Sequence, residues 1–170
     1  MDDRLTEILG SHRLMAISTL MRDGWPQTTL VGYANEGLLI YFVISREGQK
    51  FANIQRDQRV AIAIGSDVDE PALIRELAIA AEASEVTDPG QRERAIDLLL
   101  QRRPSLKSLP RPDSARSAIM RAAPRLITLS DYSRGFGHAD VVSLGPAGII
   151  DMEPVRPDDW GLGAMVRPPR

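Results

Sequence analysis

Three short runs with strand character, joined by tight turns near the N-terminus, constrain the fold more than any other feature. Residues 14–21 and 26–33 are apolar or rich in Thr and Val, and the Asp23-Gly24 pair between them is typical of a β-hairpin turn. A further turn leads into residues 38–44, which are apolar on both faces and are therefore predicted to form a central, buried strand. Strands that follow one another in this way favour an antiparallel sheet.

The rest of the chain mixes helical and strand patterns. Apolar side chains recur at helical spacing in three segments, residues 2–9, 46–56 and 91–103. Further strands are predicted at residues 59–64, 118–123, 125–130 and 139–144, with Pro124 separating the second from the third.

Three details of this pattern are specific enough to check. Ser45 is predicted to cap the helix that follows it. Residues 72–86 fit a helix by their Ala, Leu and Glu content, or a long strand by their alternation. From residue 145 onward the chain is rich in Pro and Gly and is predicted to be a loosely held tail, which Trp160 could pin down.

The composition limits the available chemistry. The chain has 170 residues, which is about one domain. It contains no cysteine, which excludes a disulfide framework, a thiolate nucleophile and a zinc–thiolate site. Its two histidines, His12 and His138, are too few for a multi-histidine metal site, and we expect no metal.

The charge balance and the hydropathy of the chain limit which partners and which cellular compartment we expect. The 21 basic and 23 acidic side chains nearly balance, which argues against a nucleic-acid partner. The longest apolar run, residues 38–44, is too short to cross a bilayer, and residues 1–4 lack the layout of a secretory signal. We therefore expect a cytoplasmic protein that binds neither nucleic acid nor membrane.

Three segments, taken in order, resemble the FMN-binding split-barrel family that includes pyridoxamine phosphate oxidase. Residues 23–30 (DGWPQTTL) resemble the family's second strand, and residues 45–60 (SREGQKFANIQRDQRV) resemble its strand-to-helix motif. Residues 129–140 (LSDYSRGFGHAD) are similar to the closing segment of a bacterial subgroup. Gln49 stands where the family commonly has arginine, and the C-terminal pattern that reads pyridoxal substrates is not recognisable, so vitamin B6 oxidation is not assigned.

The resemblance implies a fold and an organisation. The fold is mainly β (α+β), a small antiparallel split β-barrel with a few peripheral helices. Residues 1–145 would form the FMN-binding domain, and residues 146–170 a Pro/Gly-rich C-terminal tail. The resemblance also implies a homodimer in which each FMN touches both chains, and it favours a strand for residues 72–86.

The resemblance also implies the residues that bind the cofactor. The phosphate would be held where the third strand meets the following helix, and the isoalloxazine and ribityl groups would lie along the second strand. The cofactor-binding residues implied by the family motifs are Gln27, Thr28, Thr29, Leu30, Ser45, Arg46, Gln49 and Lys50. From the residues alone, the same pattern also suits an ordinary N-cap with a solvated basic helix face, and Thr-Thr suits any strand.

Three functions follow as expectations. The first is an FMN-dependent oxidoreductase that passes hydride or electrons through flavin N5 to or from a small-molecule substrate, with no catalytic side chain assigned. The second is a haem-binding or haem-utilisation split barrel, with His138 as the candidate iron ligand. The third is a flavin- or deazaflavin-binding module without catalysis. A lone histidine beside Gly-Phe-Gly is also a common structural residue, so His138 has that alternative role as well.

Overall fold

In the part of the chain that the structure describes, eight antiparallel strands form one continuous sheet, and six of them close into a barrel. The computed structural model describes residues 3–146 and 148–155. The strands, in chain order, are β1 Leu14–Leu20, β2 Pro26–Glu36, β3 Leu39–Ser45, β4 Arg59–Ile64, β5 Arg75–Glu85, β6 Ser117–Asp131, β7 Ala139–Gly145 and β8 Gly148–Val155. The helices are α1 Asp3–Ser11, α2 Gln49–Arg56 and α3 Pro89–Arg102.

The sheet order is β3-β2-β1-β4-β5-β6-β7-β8, and a β3–β6 pairing closes the barrel. The first three strands form the meander that the turns at Asp23-Gly24 and Gly37 predict, with Gly24 and Gly37 both at positive φ. The prediction of a small antiparallel split barrel with peripheral helices is confirmed.

Strand β6 is where the sheet divides. Up to Ala122 one edge of β6 pairs with β3, and from Leu126 onward the same edge pairs with β7. Pro124 lies at this change of neighbour, opposite a register shift in β5 between Ala80 and Ala81. A proline has no N–H to donate and is tolerated at such an irregularity. The two strands predicted around Pro124 are therefore one long strand.

A second opening lies along β2. Its last four residues, Tyr33 to Glu36, pair with β3, whereas residues 26–32 pair with β1 on one edge and with no strand of the described chain on the other. Backbone amide and carbonyl groups on that free edge are available to a ligand or another chain. The free edge of β2 includes the positions that the family motif assigns to the flavin.

The inward residues of the strands form the core. Ile17, Phe42 and Ile127 are fully buried inside the barrel, and Leu5 and Leu9 of α1 close one end. Strands β4 and β5 alternate buried and exposed residues along almost their whole length. This regular alternation in β5 confirms the strand for most of residues 72–86, because pairing with β4 and β6 overrides the helical propensity of the segment.

Helix α3 packs Ala95 and Ile96 over Tyr41 of β3, and its C-terminal Arg102 reaches α1. The Arg102 guanidinium donates to the Leu9 carbonyl at 3.3 Å and to the Asn35 side-chain oxygen at 2.6 Å. This contact ties the end of α1 to the barrel.

Two local predictions are wrong. Ser45 does not cap α2, because the helix begins at Gln49 with Gly48 at the N-cap, and residues 46–48 form a turn. Residues 148–155 are not loosely held, because β8 pairs with β7 along its length. Trp160 lies outside the described residues. No helix in the described part of the chain is long and apolar enough to cross a membrane.

Candidate functional site

The turn between β3 and α2 presents donors on one side of the barrel. The Gly48 N–H donates to the Ser45 carbonyl at 3.1 Å, and the Ser45 hydroxyl accepts a hydrogen bond from the Glu47 N–H at 3.2 Å. Gly48 has no side chain with which to cap α2. The first N–H groups of a helix have no partner within it, so the start of α2 offers donors and a favourable dipole to an anion.

Lys50 lies in this first turn of α2 and is half-buried. Its burial lowers the pKa of the ammonium group, since a charge is less stable away from water. Across the described ranges, no carboxylate lies within ion-pair distance of Lys50. A partly desolvated cation without a counterion, beside a helix N-terminus, suits an anionic ligand.

Arg46 lies in the turn before α2 and is already engaged. Its Nη1 donates to the Glu85 carboxylate at 3.1 Å, and its Nη2 donates to the other oxygen of the same group. Its Nε donates to the Ser114 carbonyl at 2.8 Å, and the guanidinium lies over the Phe51 ring, 5.4 Å from the centroid. Arg46 is thus adjacent to the start of α2 and paired with an acid.

A buried asparagine joins α2 to the β1–β2 hairpin. Asn53 is 0% exposed, and its side-chain amide donates to the Thr19 hydroxyl at 3.0 Å and to the Gln27 side-chain oxygen at 3.4 Å. Gln49 donates to the Asn53 side-chain oxygen at 2.8 Å. The structure therefore brings two predicted site residues, Gln27 and Gln49, together through the buried Asn53.

The predicted residues of β2 lie on both faces of the strand. Gln27 and Thr29 are on the inner side, and the Thr29 hydroxyl is buried without a hydrogen-bond partner among the described residues. Thr28 and Leu30 are on the outer side, where the Thr28 hydroxyl hydrogen-bonds that of Ser18 at 2.7 Å and Leu30 is 72% exposed. A ligand along this strand would meet different side chains on each face.

Thr28 borders an open trough on the outer surface of the barrel. The trough has a volume of about 410 Å³ and continues, through shared Ser18 and Ala61, into a cleft of about 290 Å³ beside Arg59. Small side chains from β1, β4 and β5 form most of its floor, namely Ala16, Ser18, Ala61, Ala63, Ala78 and Ala80. It is shallow and has no second wall within the described chain.

His138 belongs to a separate cluster at the β6–β7 connection. Its Nε2 is buried and lies 3.4 Å from an oxygen of Asp140, which is itself buried. Asp140 also accepts hydrogen bonds from Arg4 at 2.9 Å and from Arg134 at 2.8 Å. No hydrogen bond or ion pair of the described residues joins His138 to α2.

Comparisons with solved structures show the same fold in proteins of low sequence identity. A haem-binding protein of Mycobacterium smegmatis matches with a TM-score of 0.71 and 19% identity, over 82% of this chain and 56% of that one. A candidate pyridoxamine 5'-phosphate oxidase of Listeria innocua matches with a TM-score of 0.62 and 22% identity, over 76% of this chain and 97% of that one.

A third similar structure is HutZ, a haem storage protein of Vibrio cholerae, with a TM-score of 0.58 and 16% identity, over 72% of this chain and 89% of that one. No curated protein matches the sequence. The family model for pyridoxamine 5'-phosphate oxidase matches residues 1–129, which cover most of the barrel. The chain therefore belongs to the pyridoxamine 5'-phosphate oxidase family.

Proposed function

We propose that the chain binds FMN beside the β3–α2 junction and serves as an oxidoreductase for a small-molecule substrate. The observation that carries this proposal is Lys50, a half-buried ammonium without an acidic partner in the described chain, at the start of a helix. Family membership supports the same location, because the motif of residues 45–60 is the one that resembles the family's phosphate-binding segment.

The residues at the junction fit a phosphorylated flavin. Lys50, the Ser45 hydroxyl and the first N–H groups of α2 would hold the phosphate, and Arg46 has N–H groups beyond those that it donates to Glu85 and Ser114. The free edge of β2 offers backbone donors and acceptors that suit the polar rim of an isoalloxazine. When bound, the isoalloxazine would supply the redox chemistry, and the protein's residues would bind and orient it.

The Asn53 contacts support this arrangement. They fix Gln49 at the start of α2 and Gln27 on β2 relative to each other, with Asn53 buried between them. A phosphate group and a ring system bound at these two places need such a fixed distance. We propose Asn53 as the positioning residue of the site.

A homodimer is part of the proposal. Thr28, one of the β2 residues assigned to the flavin, lines the trough on the outer surface of the barrel, and this trough is open, whereas cofactor sites usually bury most of their ligand. A second copy of the chain would supply the missing wall. The smooth floor of alanine and serine side chains allows the close approach that such a wall requires.

Haem binding is a second candidate, favoured by two of the similar structures, which are described as haem-binding and haem storage proteins. In this chain the candidate ligand would be His138, whose Nε2 is buried without a hydrogen-bond partner among the described residues and lies 3.4 Å from a carboxylate oxygen of Asp140. A hydrogen bond from Nε2–H to Asp140, of the kind common for metal-binding histidines, would leave Nδ1 for iron.

The visible spectrum of the purified protein, followed by identification of the extracted chromophore, separates these functions. Flavin absorbance and extracted FMN support the proposal. An extracted deazaflavin supports instead the deazaflavin-binding module without catalysis. A Soret band that disappears in His138→Ala supports haem. A colourless protein that takes up neither cofactor contradicts both.

Substitution of Lys50 tests the location of the phosphate. Lys50→Ala is expected to weaken FMN binding by about 10- to 100-fold, since a charge-assisted contact contributes roughly 1.5–3 kcal/mol. Riboflavin has no phosphate, so its affinity should not change. Lys107→Ala removes the chain's other lysine, which is exposed and outside the junction, and serves as the matched control. Equal losses for FMN and riboflavin in Lys50→Ala would place the phosphate elsewhere.

A further inference from the structure

The ion pair between Arg46 and Glu85 connects the junction to the end of β5. Two N–H groups of Arg46 meet the two oxygens of Glu85, and the carbonyl of Ser114 accepts a third. The side chains are 30% and 18% exposed, so both charges are partly withdrawn from water. Such a bidentate pair holds the guanidinium in one orientation.

The Arg46–Glu85 ion pair lowers the net positive charge beside the proposed phosphate site. Arg46 and Lys50 would together present two positive charges to a phosphate, but the Glu85 carboxylate neutralises one of them. Glu47 lies in the same turn, is exposed and has no ion-pair partner among the described residues, so its charge is largely screened by water. Lys50 is therefore the cation at the junction whose charge is not neutralised by a carboxylate of the described chain.

A phosphate and Glu85 would compete for the same guanidinium. A carboxylate and a tetrahedral phosphate can each accept two N–H groups of an arginine. The two that Arg46 donates to Glu85 cannot be donated to a phosphate at the same time, which leaves a phosphate the second N–H of each terminal nitrogen. The free energy that Arg46 gains from a phosphate is reduced by what it loses from Glu85.

We propose that Glu85 sets how strongly this site prefers a phosphorylated ligand, by holding Arg46 in an ion pair and cancelling its charge. The proposal rests on the proposed FMN site and assigns Glu85 a role in specificity that the family motif does not include. Its consequence is that the wild-type chain discriminates between FMN and riboflavin less than its two basic side chains would allow.

The experiment measures the dissociation constants of FMN and riboflavin for the full chain and for Glu85→Gln. Glutamine keeps the size of the side chain and an oxygen that accepts from Arg46, but it removes the negative charge. We expect Glu85→Gln to bind FMN about five- to tenfold more tightly than the wild-type chain, because the Arg46 charge is no longer neutralised and acts on the phosphate from a partly exposed site. Riboflavin should bind to both proteins with the same affinity. The gain should shrink as salt is added.

Two variants serve as controls. Glu82→Gln removes the same charge from the same strand, but Glu82 pairs with Arg125 at 2.9 Å and is exposed, so the ratio of FMN to riboflavin affinity should not change. Arg46→Ala combined with Glu85→Gln should lose the gain, since the effect acts through Arg46.

The outcomes separate this proposal from the one on which it rests. If Glu85→Gln weakens FMN binding or leaves it unchanged while Lys50→Ala still removes the preference for FMN, Glu85 does not set specificity and the FMN site stands. If the wild-type chain binds neither flavin, the FMN site fails and the role of Glu85 fails with it. If FMN affinity rose equally in Glu82→Gln and Glu85→Gln, the effect would come from the net charge of the chain and not from Arg46, and the proposal would be overturned.

Discussion

Tyr33 is buried under α1, and its hydroxyl donates a hydrogen bond to the Leu9 carbonyl at 2.8 Å. Burial raises the pKa of Tyr33 to about 12, and the positive charge of Arg102 nearby opposes this only in part. The neutral phenol is thus the form that the folded chain requires. In the unfolded chain the phenol ionises at its ordinary pKa near 10.

This difference predicts a loss of stability at alkaline pH. From about pH 10 to 12 the unfolded chain loses the Tyr33 proton while the folded chain keeps it, so the free energy of unfolding falls over this window. Tyr33→Phe removes the group, so its stability should fall less between pH 9 and pH 11 in urea titrations. Tyr41, whose pKa is also raised by burial, leaves a residual fall in both proteins. An identical pH dependence in the two proteins would contradict the assignment.

At the scale of single residues, the sequence predicted which residues lie at the site better than it predicted which residues they contact. The motif comparison placed Arg46 and Gln49 at the junction, and they lie there. Their partners could not be read from the local pattern, because Glu85 is 39 residues from Arg46, and Thr19 is 34 residues from Asn53. The buried role of Asn53 is a product of tertiary packing.

At the scale of elements, Pro124 shows how one residue can suit a long strand. It lies where β6 leaves β3 and joins β7, so its missing N–H disrupts neither ladder. Ala122, two residues earlier, pairs with Ile40 on one side and Ala83 on the other. A proline should therefore be tolerated at position 124 and destabilise the fold at position 122.

Ala122→Pro is expected to destabilise the chain by about 3 kcal/mol or more, because it removes a ladder hydrogen bond in the middle of the sheet. Pro124→Ala should change stability by less than about 1 kcal/mol, mainly through the unfolded chain. Urea denaturation followed by circular dichroism measures both. If the two substitutions cost the same, β6 does not change neighbours at Pro124.

The elements also show where local signals suffice and where they fail. Glycine turns and alternating strands were predictable, since both depend on neighbouring residues. The start of α2 was not, because serine before a basic run resembles an N-cap and only the β3–β6 pairing, which continues to Ser45, delays the helix to Gln49. The strand β8 was missed because Pro and Gly content conceals its pairing with β7.

For the whole molecule, the open trough on the outer surface of the barrel supports the proposed homodimer. Its floor consists of small residues, and large apolar side chains stand near its border on the same hairpin, with Trp25 and Leu30 each 72% exposed. An isolated chain seldom leaves such a surface in water. A second copy would cover these side chains and enclose the trough, which would then bury a ligand as cofactor sites usually do.

Ala80→Arg tests this arrangement, because Ala80 lies in the floor of the trough and is exposed in the single chain. A guanidinium there would separate the two copies without disturbing the core, so the mass in solution should change from two chains to one. FMN affinity should fall with it, since each site would lose its second wall. Ala72→Arg adds the same charge at an exposed turn outside the trough and should keep both the dimer and FMN affinity. Light scattering coupled to size exclusion measures the mass, and a wild-type protein with the mass of one chain that still binds FMN would show that the barrel needs no partner to complete its site.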